Sequence, residues 1–224
     1  MAGTLQRGLL VEADLTVLPG MEVCFEVCRE RLAREKIKLD QGQFVRFLLG
    51  RPLSKGMAAL LEQTGRSAEP AVLAGDCAAA YAEALQKAAS RPRDGILAFV
   101  KDVAGRGGVK VGLLTQLPEE AARTVFADAL GDQVVPVCEA TANFCVYGWE
   151  GWRRAARKLQ VRERLCVAIC SPASAHGALA ASMRVVAMQE STQEHIDCSG
   201  VDVFTESFTA SVRTAALGLL RIES

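Results

Sequence analysis

The chain is poor in several groups whose abundance marks a class of protein. Aromatic residues make up 5% of its 224 positions, with two Trp and two Tyr. That is too few for the stacking platforms of single-strand nucleic-acid binders. Neither sign of charge dominates: 26 Lys and Arg stand against 26 Asp and Glu. With no Lys/Arg block either, nucleic acid and membrane surfaces are not expected partners. No apolar run approaches the roughly 20 residues of a membrane-spanning helix. Met1–Arg7 lacks the apolar region of a signal peptide. The cysteines, Cys24, Cys28, Cys77, Cys138, Cys145, Cys166, Cys170 and Cys198, include no Cys-x-x-Cys pair, and the two histidines do not stand at ligand spacing. A zinc site and a thiol nucleophile are therefore not expected. The cysteines read as small buried apolar residues of a reducing compartment, and the expected location is the cytoplasm.

What the chain does have is apolar residues, 50% of the total, enough for a full core. Its length suits one domain, or one domain with an insertion. The stretch Leu9-Leu10-Val11-Glu12-Ala13-Asp14-Leu15-Thr16-Val17-Leu18 organises it. An apolar run long enough for one buried strand leads into Glu12 and Asp14, at i and i+2, and then Thr16. In extended chain the two carboxylates share a side, and they would meet where the backbone leaves the sheet. Like charges that close are costly unless a cation or substrate chemistry holds them. The alternative is a buried strand that simply runs into a polar turn.

Pro19-Gly20 ends the first pattern. Met21, Phe25, Cys28 and Leu32 follow helical spacing and predict a helix over 21–36. Asp40 can cap a short helix bearing Phe44, Phe47 and Leu48, which stops at Gly50. Ser54 is the expected cap of a helix with Met57, Leu60 and Leu61. Pro70 opens a long Ala-rich helix through Leu73, Cys77, Tyr81 and Leu85. Near Pro92 the character changes to alternating elements. Helices are expected around Phe99, from Pro118 to Leu130, over Glu150–Leu159, from Ser171-Pro172, and through Phe208, Val212 and Leu219. Between them, strands are expected over Val109–Thr115, Val134–Val137, Leu165–Cys170, Arg184–Met188 and Val201–Phe204. Such alternation predicts a parallel sheet covered on both faces. The expected class is α/β: a Rossmann-like doubly wound parallel sheet with an inserted α-helical cap. The core would take 1–19 and 92–224. The cap would take 20–91 and lie over the carboxyl edge of the strands, where ligands bind in such folds.

This order of elements resembles the haloacid dehalogenase-like (HAD) superfamily, and within it the β-phosphoglucomutase-like branch, over nearly the whole chain. The family's first motif, Asp-x-Asp-x-Thr after an apolar strand, is matched by Glu12-Ala13-Asp14-Leu15-Thr16. Leu49-Gly50-Arg51-Pro52 and the Leu-rich helix after it are similar to that branch's cap. The second motif, a Thr or Ser ending the next core strand, corresponds to Thr115. The helix Trp152–Leu159 is similar to the third-motif helix. The resemblance implies Mg²⁺-dependent phosphoryl transfer. Glu12 would stand at the nucleophile's position, Asp14 would be the general acid/base, and both would serve the metal. Thr16 and Thr115 would hydrogen-bond phosphate. Arg51 and Lys55 would read the distal part of a small phosphorylated or anionic ligand.

The departures from the family pattern are grouped at the same site. Glu12 replaces the nucleophilic Asp, and a displacement of about 1 Å can cost on the order of a hundredfold in rate. The third-motif Lys falls at Val146, with Arg153 or Arg154 as substitutes further along the helix. The metal-holding acids of the fourth motif fall at Cys170-Ser171-Pro172, so Mg²⁺ loses carboxylates it usually leans on. Glu190, Glu194 and Asp197 are the next acids along the chain. Trp149 is the candidate lid over the old pocket, Trp152 reads as helix core and His176 as a surface histidine. Without metal, one of Glu12 and Asp14 is expected to carry a raised pKa. The reading is a HAD-fold protein with degraded phosphoryl-transfer motifs, catalytically weak or inactive, that binds a small ligand or a partner and needs no cofactor. Two alternatives stand beside it: an active Mg²⁺-dependent phosphatase for small phosphorylated metabolites, and an assembly or interaction subunit.

Overall fold

The structure, a computed structural model, describes residues 6–88, 95–127, 134–138, 144–189 and 196–222. Six strands form one parallel sheet in the order β3-β2-β1-β4-β5-β6. They are β1 (Arg7–Glu12), β2 (Val109–Thr115), β3 (Val134–Cys138), β4 (Cys166–Cys170), β5 (Arg184–Met188) and β6 (Val203–Thr205). β1 is central, as its unbroken Leu9-Leu10-Val11 run demands, since a strand buried on both faces has no polar side. It lies in register with both neighbours, Val11 opposite Leu113 on β2 and Ile169 on β4. Alternate side chains serve opposite layers. Leu9 and Val11 pack with Phe99, Val100 and Leu220, while Leu10 packs with Trp152, Ala155 and Ala178. The first group comes from α6 (Ile96–Ala104) and α10 (Ala210–Leu220), the second from α8 (Trp149–Lys158) and α9 (Pro172–Ala180). A short helix, α7 (Glu119–Val125), follows β2; the expected end of this segment at Leu130 lies outside the described residues. Trp152 is wholly buried, so its reading as helix core holds.

Between β1 and β2 the described elements are all helices, ending with α6. Before it come α1 (Ala13–Thr16), α2 (Gly20–Arg34), α3 (Gln41–Gln43) running into a π turn (Phe44–Leu48), α4 (Leu53–Thr64) and α5 (Pro70–Ala88). Asp40 caps α3 as expected: its carboxylate accepts from the Gln43 N–H at 2.7 Å and the Gln43 side chain accepts from the Asp40 N–H at 3.1 Å. Ser54 is not a cap. The Pro52 carbonyl already accepts from the Lys55 and Gly56 N–H groups, each at 3.0 Å, so α4 starts at Leu53 and Ser54 sits inside its first turn. The last strand starts two residues later than the expected Val201. Asp202 is engaged beforehand, its N–H on the Val185 carbonyl at 3.0 Å and its carboxylate on the Val185 N–H at 2.8 Å.

A short segment beyond β3 ties the inserted helices down. Phe144 exchanges backbone bonds with the insertion: its N–H donates to the Arg51 carbonyl at 2.9 Å, and its carbonyl accepts from Gly50 at 3.3 Å. Its ring stands edge-on to Tyr81 of α5, centroids 5.6 Å apart. The next residue, Cys145, is disulfide-bonded to Cys24 of α2. This departs from the reading of all eight cysteines as simple buried apolar groups; the other six are free. The two Cα atoms are 7.3 Å apart, wider than the roughly 4.4–6.8 Å usual for a disulfide. A small backbone movement therefore separates the bond from a pair of packed thiols. Among the described residues, no helix is long and apolar enough to cross a membrane.

Thiol titration of denatured, unreduced protein is expected to find six reactive cysteines, rising to eight after reduction. Reduction should also lower the melting temperature, since closing a long loop contributes roughly 2–4 kcal/mol. Eight thiols before reduction would mean that Cys24 and Cys145 are packed but unbonded.

Candidate functional site

The strand order reverses between β1 and β4, and open parallel sheets hold their ligands just beyond such a point, outside the carboxyl ends of the strands. Here that place is filled from within. Glu12 closes β1 and is wholly buried. Its Oε2 accepts the Ser171 N–H at 2.7 Å, and its Oε1 accepts the Ser174 hydroxyl. Ser171 follows β4 and Ser174 lies in the first turn of α9, so one carboxylate ties β1 to the β4–α9 turn. Asp14 is equally buried and bonds the other neighbour. Its Oδ1 accepts the Thr115 hydroxyl at 2.5 Å and its Oδ2 the Gln116 N–H at 2.7 Å, both at the end of β2. Thr16 donates to the Glu12 carbonyl at 2.6 Å. Among the described residues, the buried polar or charged side chains are Glu12, Asp14, Thr16, Thr115, Ser171 and Ser174, all in this cluster.

Glu12, Asp14, Thr16 and Thr115 are thus brought together, but not in the way extended chain would do it. The strand stops at Glu12 and α1 begins at Ala13, so the two carboxylates diverge, one toward β4 and one toward β2. Gly20 permits the tight turn that follows: a Cβ there would stand 2.3 Å from the Asp14 carbonyl oxygen. The two threonine hydroxyls bond to the chain itself. Arg51 and Lys55 are exposed, and neither side chain hydrogen-bonds a described residue. Trp149 does not cover the cluster. It opens α8 at 46% exposure, with the Arg153 guanidinium 5.4 Å from its ring centre, and lines a surface cleft with Arg162 and Glu163. Arg153 also pairs with Glu163 at 3.4 Å, so it does not replace the missing lysine, and Arg154 is exposed. Asp197 turns its carboxylate onto Ser199, while Glu190 and Glu194 lie outside the described residues. His176 is exposed, as expected.

Two residues at this site carried no role in the sequence reading. Tyr147, one position after Val146, turns inward and is 1% exposed. Its N–H donates to Ser174 Oγ at 3.0 Å, its ring stands 6.1 Å from that of Trp152, and its hydroxyl has no hydrogen-bond partner among the described residues. Gly177 allows this approach, since a Cβ there would lie 2.4 Å from the Tyr147 carbonyl oxygen. Ser174 had a faint signal: a hydroxyl among Ala173, Ala175 and Ala178 on a helix facing the sheet.

Burial dominates the electrostatics. It pushes the Glu12 carboxyl up to about 8, against the opposing hydrogen bonds from Ser174 and Ser171, and repulsion from Asp14 adds a smaller rise. Asp14 is raised to about 6 by burial, opposed by Thr115 and Gln116. Glu12 therefore holds its proton far more tightly than an ordinary carboxyl, which makes it a poor nucleophile. Tyr147 is pushed well above its ordinary range by burial first and by the charges of Asp14 and Glu12 second.

No family model matches the sequence, and no curated protein does. Solved structures do match. β-Phosphoglucomutase from Clostridium difficile aligns with a TM-score of 0.68 at 14% identity, over 97% of this chain and 99% of that one. CbbY from Rhodobacter sphaeroides, solved with phosphate, gives 0.67 at 19%, over 96% and 97%. A HAD family hydrolase from Deinococcus radiodurans, with bound phosphate and sodium, gives 0.63 at 15%, over 98% and 99%. The chain has the HAD-like fold. At these identities the likeness extends to the fold and not to the chemistry, which rests on the residues themselves.

The HAD-like fold implies a Mg²⁺ site at the ends of β1 and β4, and the described residues there do not fit one. All four carboxylate oxygens of Glu12 and Asp14 already accept hydrogen bonds from the protein. Mg²⁺ demands near-octahedral oxygen ligands and leans on carboxylates, and Cys170-Ser171-Pro172 brings none. Among the described residues, no group of three His, Cys, Asp or Glu side chains could hold a metal ion.

Both raised acids bind more protons in the folded state than in the unfolded one, Glu12 from 4.5 to about 8 and Asp14 from 3.8 to about 6. Their contribution to stability is full below the unfolded values and is lost as pH rises through the folded ones. The melting temperature is expected to fall between pH 5 and pH 8, and Glu12→Gln, which keeps the shape without the charge, should flatten that slope. A melting temperature that rises over this range would contradict burial as the dominant effect.

Proposed function

We propose that this HAD-fold protein is a catalytically weak or inactive homologue whose phosphoryl-transfer centre has become a structural hydrogen-bond cluster. The observation that carries the reading is the engagement of both Glu12 oxygens by Ser171 and Ser174 in a wholly buried site. Phosphoryl transfer rests on positioning and on electrostatic stabilisation. Here the carboxyl at the attacking position has its pKa raised by burial and is held from both sides. Val146 brings no cation to it, and among the described residues no group of acids could complete a metal site. Helices α2–α5 act as a fixed cover rather than a lid, held by the Phe144 backbone bonds and by Cys145. What remains is binding of a small anionic ligand or a protein partner on other surfaces of the scaffold.

Hydrolysis of an aryl phosphate in the presence of Mg²⁺ tests this. Wild type is expected to show no turnover above that of Asp14→Asn. Turnover that Asp14→Asn abolishes would establish an active phosphatase and overturn the proposal. Mg²⁺ is also expected to leave the melting temperature unchanged at millimolar concentration, whereas a specific site would raise it by mass action.

A further inference from the structure

The opposite edge of the sheet carries a different kind of chemistry. Arg7 opens β1, Arg164 lies in the 3₁₀ turn just before β4, Arg184 opens β5 and Arg221 follows the last residue of α10. These four come from separate parts of the sequence, yet they line one cavity of about 240 Å³, floored by Leu165, Cys166 and Leu219. Parallel topology explains the convergence: every strand starts at this edge, so a basic residue at the start of β1 and of β5 meets whatever precedes β4.

Among the described residues their charge is only partly balanced. Arg184 pairs with Asp202 at 2.7 Å. Among the described residues, Arg7, Arg164 and Arg221 have no acidic partner. A helix carboxyl end offers about half a negative charge, and α10 ends here at Leu220. The ordinary account, arginines complementing helix ends, therefore covers about one half-charge beyond Asp202. Counted over the described residues, more than two positive charges of the four are left. The chain as a whole is neutral, so this excess is a local feature and not general basicity. Guanidinium groups present fixed forks of N–H donors that match phosphate and carboxylate oxygens. Arg164 also lines the neighbouring cleft of about 410 Å³, with Arg162, the Arg153–Glu163 pair and the half-exposed Trp149, so the positive surface continues beyond the cavity through Arg162.

We propose that this arginine-lined cavity binds a small oxyanion carrying at least two negative charges, of the diphosphate or bisphosphate class. The cavity volume suits a diphosphate-sized group rather than a drug-sized ligand, whose pockets run from about 300 Å³ upward. The site is independent of the Glu12 cluster, lies at the other end of the strands and needs none of its residues. It gives the scaffold a binding role whether or not the HAD centre turns over.

Calorimetric titration of the full chain with inorganic pyrophosphate, without Mg²⁺ and at low salt, tests the proposal. Wild type is expected to bind one equivalent. Arg164→Ala and Arg7→Gln should each weaken binding about tenfold or more, the loss expected when one charged hydrogen-bonding group is removed. Arg164→Lys should fall between. All three substitutions sit on partly or fully exposed side chains, and their melting temperatures report folding. Asp14→Asn and the double change Arg51→Ala, Lys55→Ala should bind as wild type does. The proposal is overturned if wild type fails to bind at millimolar pyrophosphate, or if Arg164→Ala binds as tightly as wild type. Loss of binding in Asp14→Asn or in the Arg51, Lys55 variant would instead place the anion at the HAD centre or under the inserted helices, and would also overturn it. None of these outcomes depends on the phosphatase result.

Discussion

The carboxyl of Glu12 holds the centre of this molecule together. It leaves the end of the central strand β1, crosses to the next strand, and accepts the first free N–H after β4 and the Ser174 hydroxyl. An aspartate is shorter by one C–C bond, roughly 1.5 Å, and would not span the same gap from the same backbone. The longer side chain thus closes the crevice that the reversal of strand order opens. A buried carboxyl in such a place is tolerable because it is bonded on both oxygens and can hold its proton. Either feature alone would leave a costly buried group.

The rest of the site accommodates that closure. Ser174 is shared: it donates to Glu12 and accepts from the Tyr147 N–H. Tyr147 is fixed by that bond and by its ring contact with Trp152, and Gly177 lets the tyrosine backbone pass close to α9. The same segment, one and three residues earlier, holds the inserted helices through Phe144, with Val146 lying against Gly50. Residues 144–147 are therefore a latch with two sides, one facing the carboxylates and one facing the insertion. The packing under the insertion and the fate of the acids are coupled through four consecutive residues.

Much of this architecture is legible in the chain itself. The unbroken apolar run of Leu9–Val11 places β1 inside the sheet. The spacing of Met21, Phe25, Cys28 and Leu32 marks α2, and Asp40 with Gln43 marks a cap that forms as read. Thr16 and Thr115 reach the same cluster as Glu12 and Asp14 because topology brings the ends of β1 and β2 side by side. Local signals mislead where a neighbour intervenes. Ser54 loses its cap because Pro52 starts the helix first, and the i, i+2 reading of the two acids fails because the strand ends between them.

What the sequence by itself determined is the order and type of the elements, since hydrophobic period and turn chemistry are local, and with them the absence of acids after β4. Only the tertiary structure decided what the surviving groups bond to. Tyr147 rather than Val146 or Trp149 fills the site, because Gly148 starts α8 at Trp149 and turns that ring outward. Cys24 meets Cys145 across 121 residues. Arg7, Arg164, Arg184 and Arg221 share one cavity because parallel strands all begin at one edge. Each of these pairings joins residues far apart in the chain, and no local periodicity records such a contact.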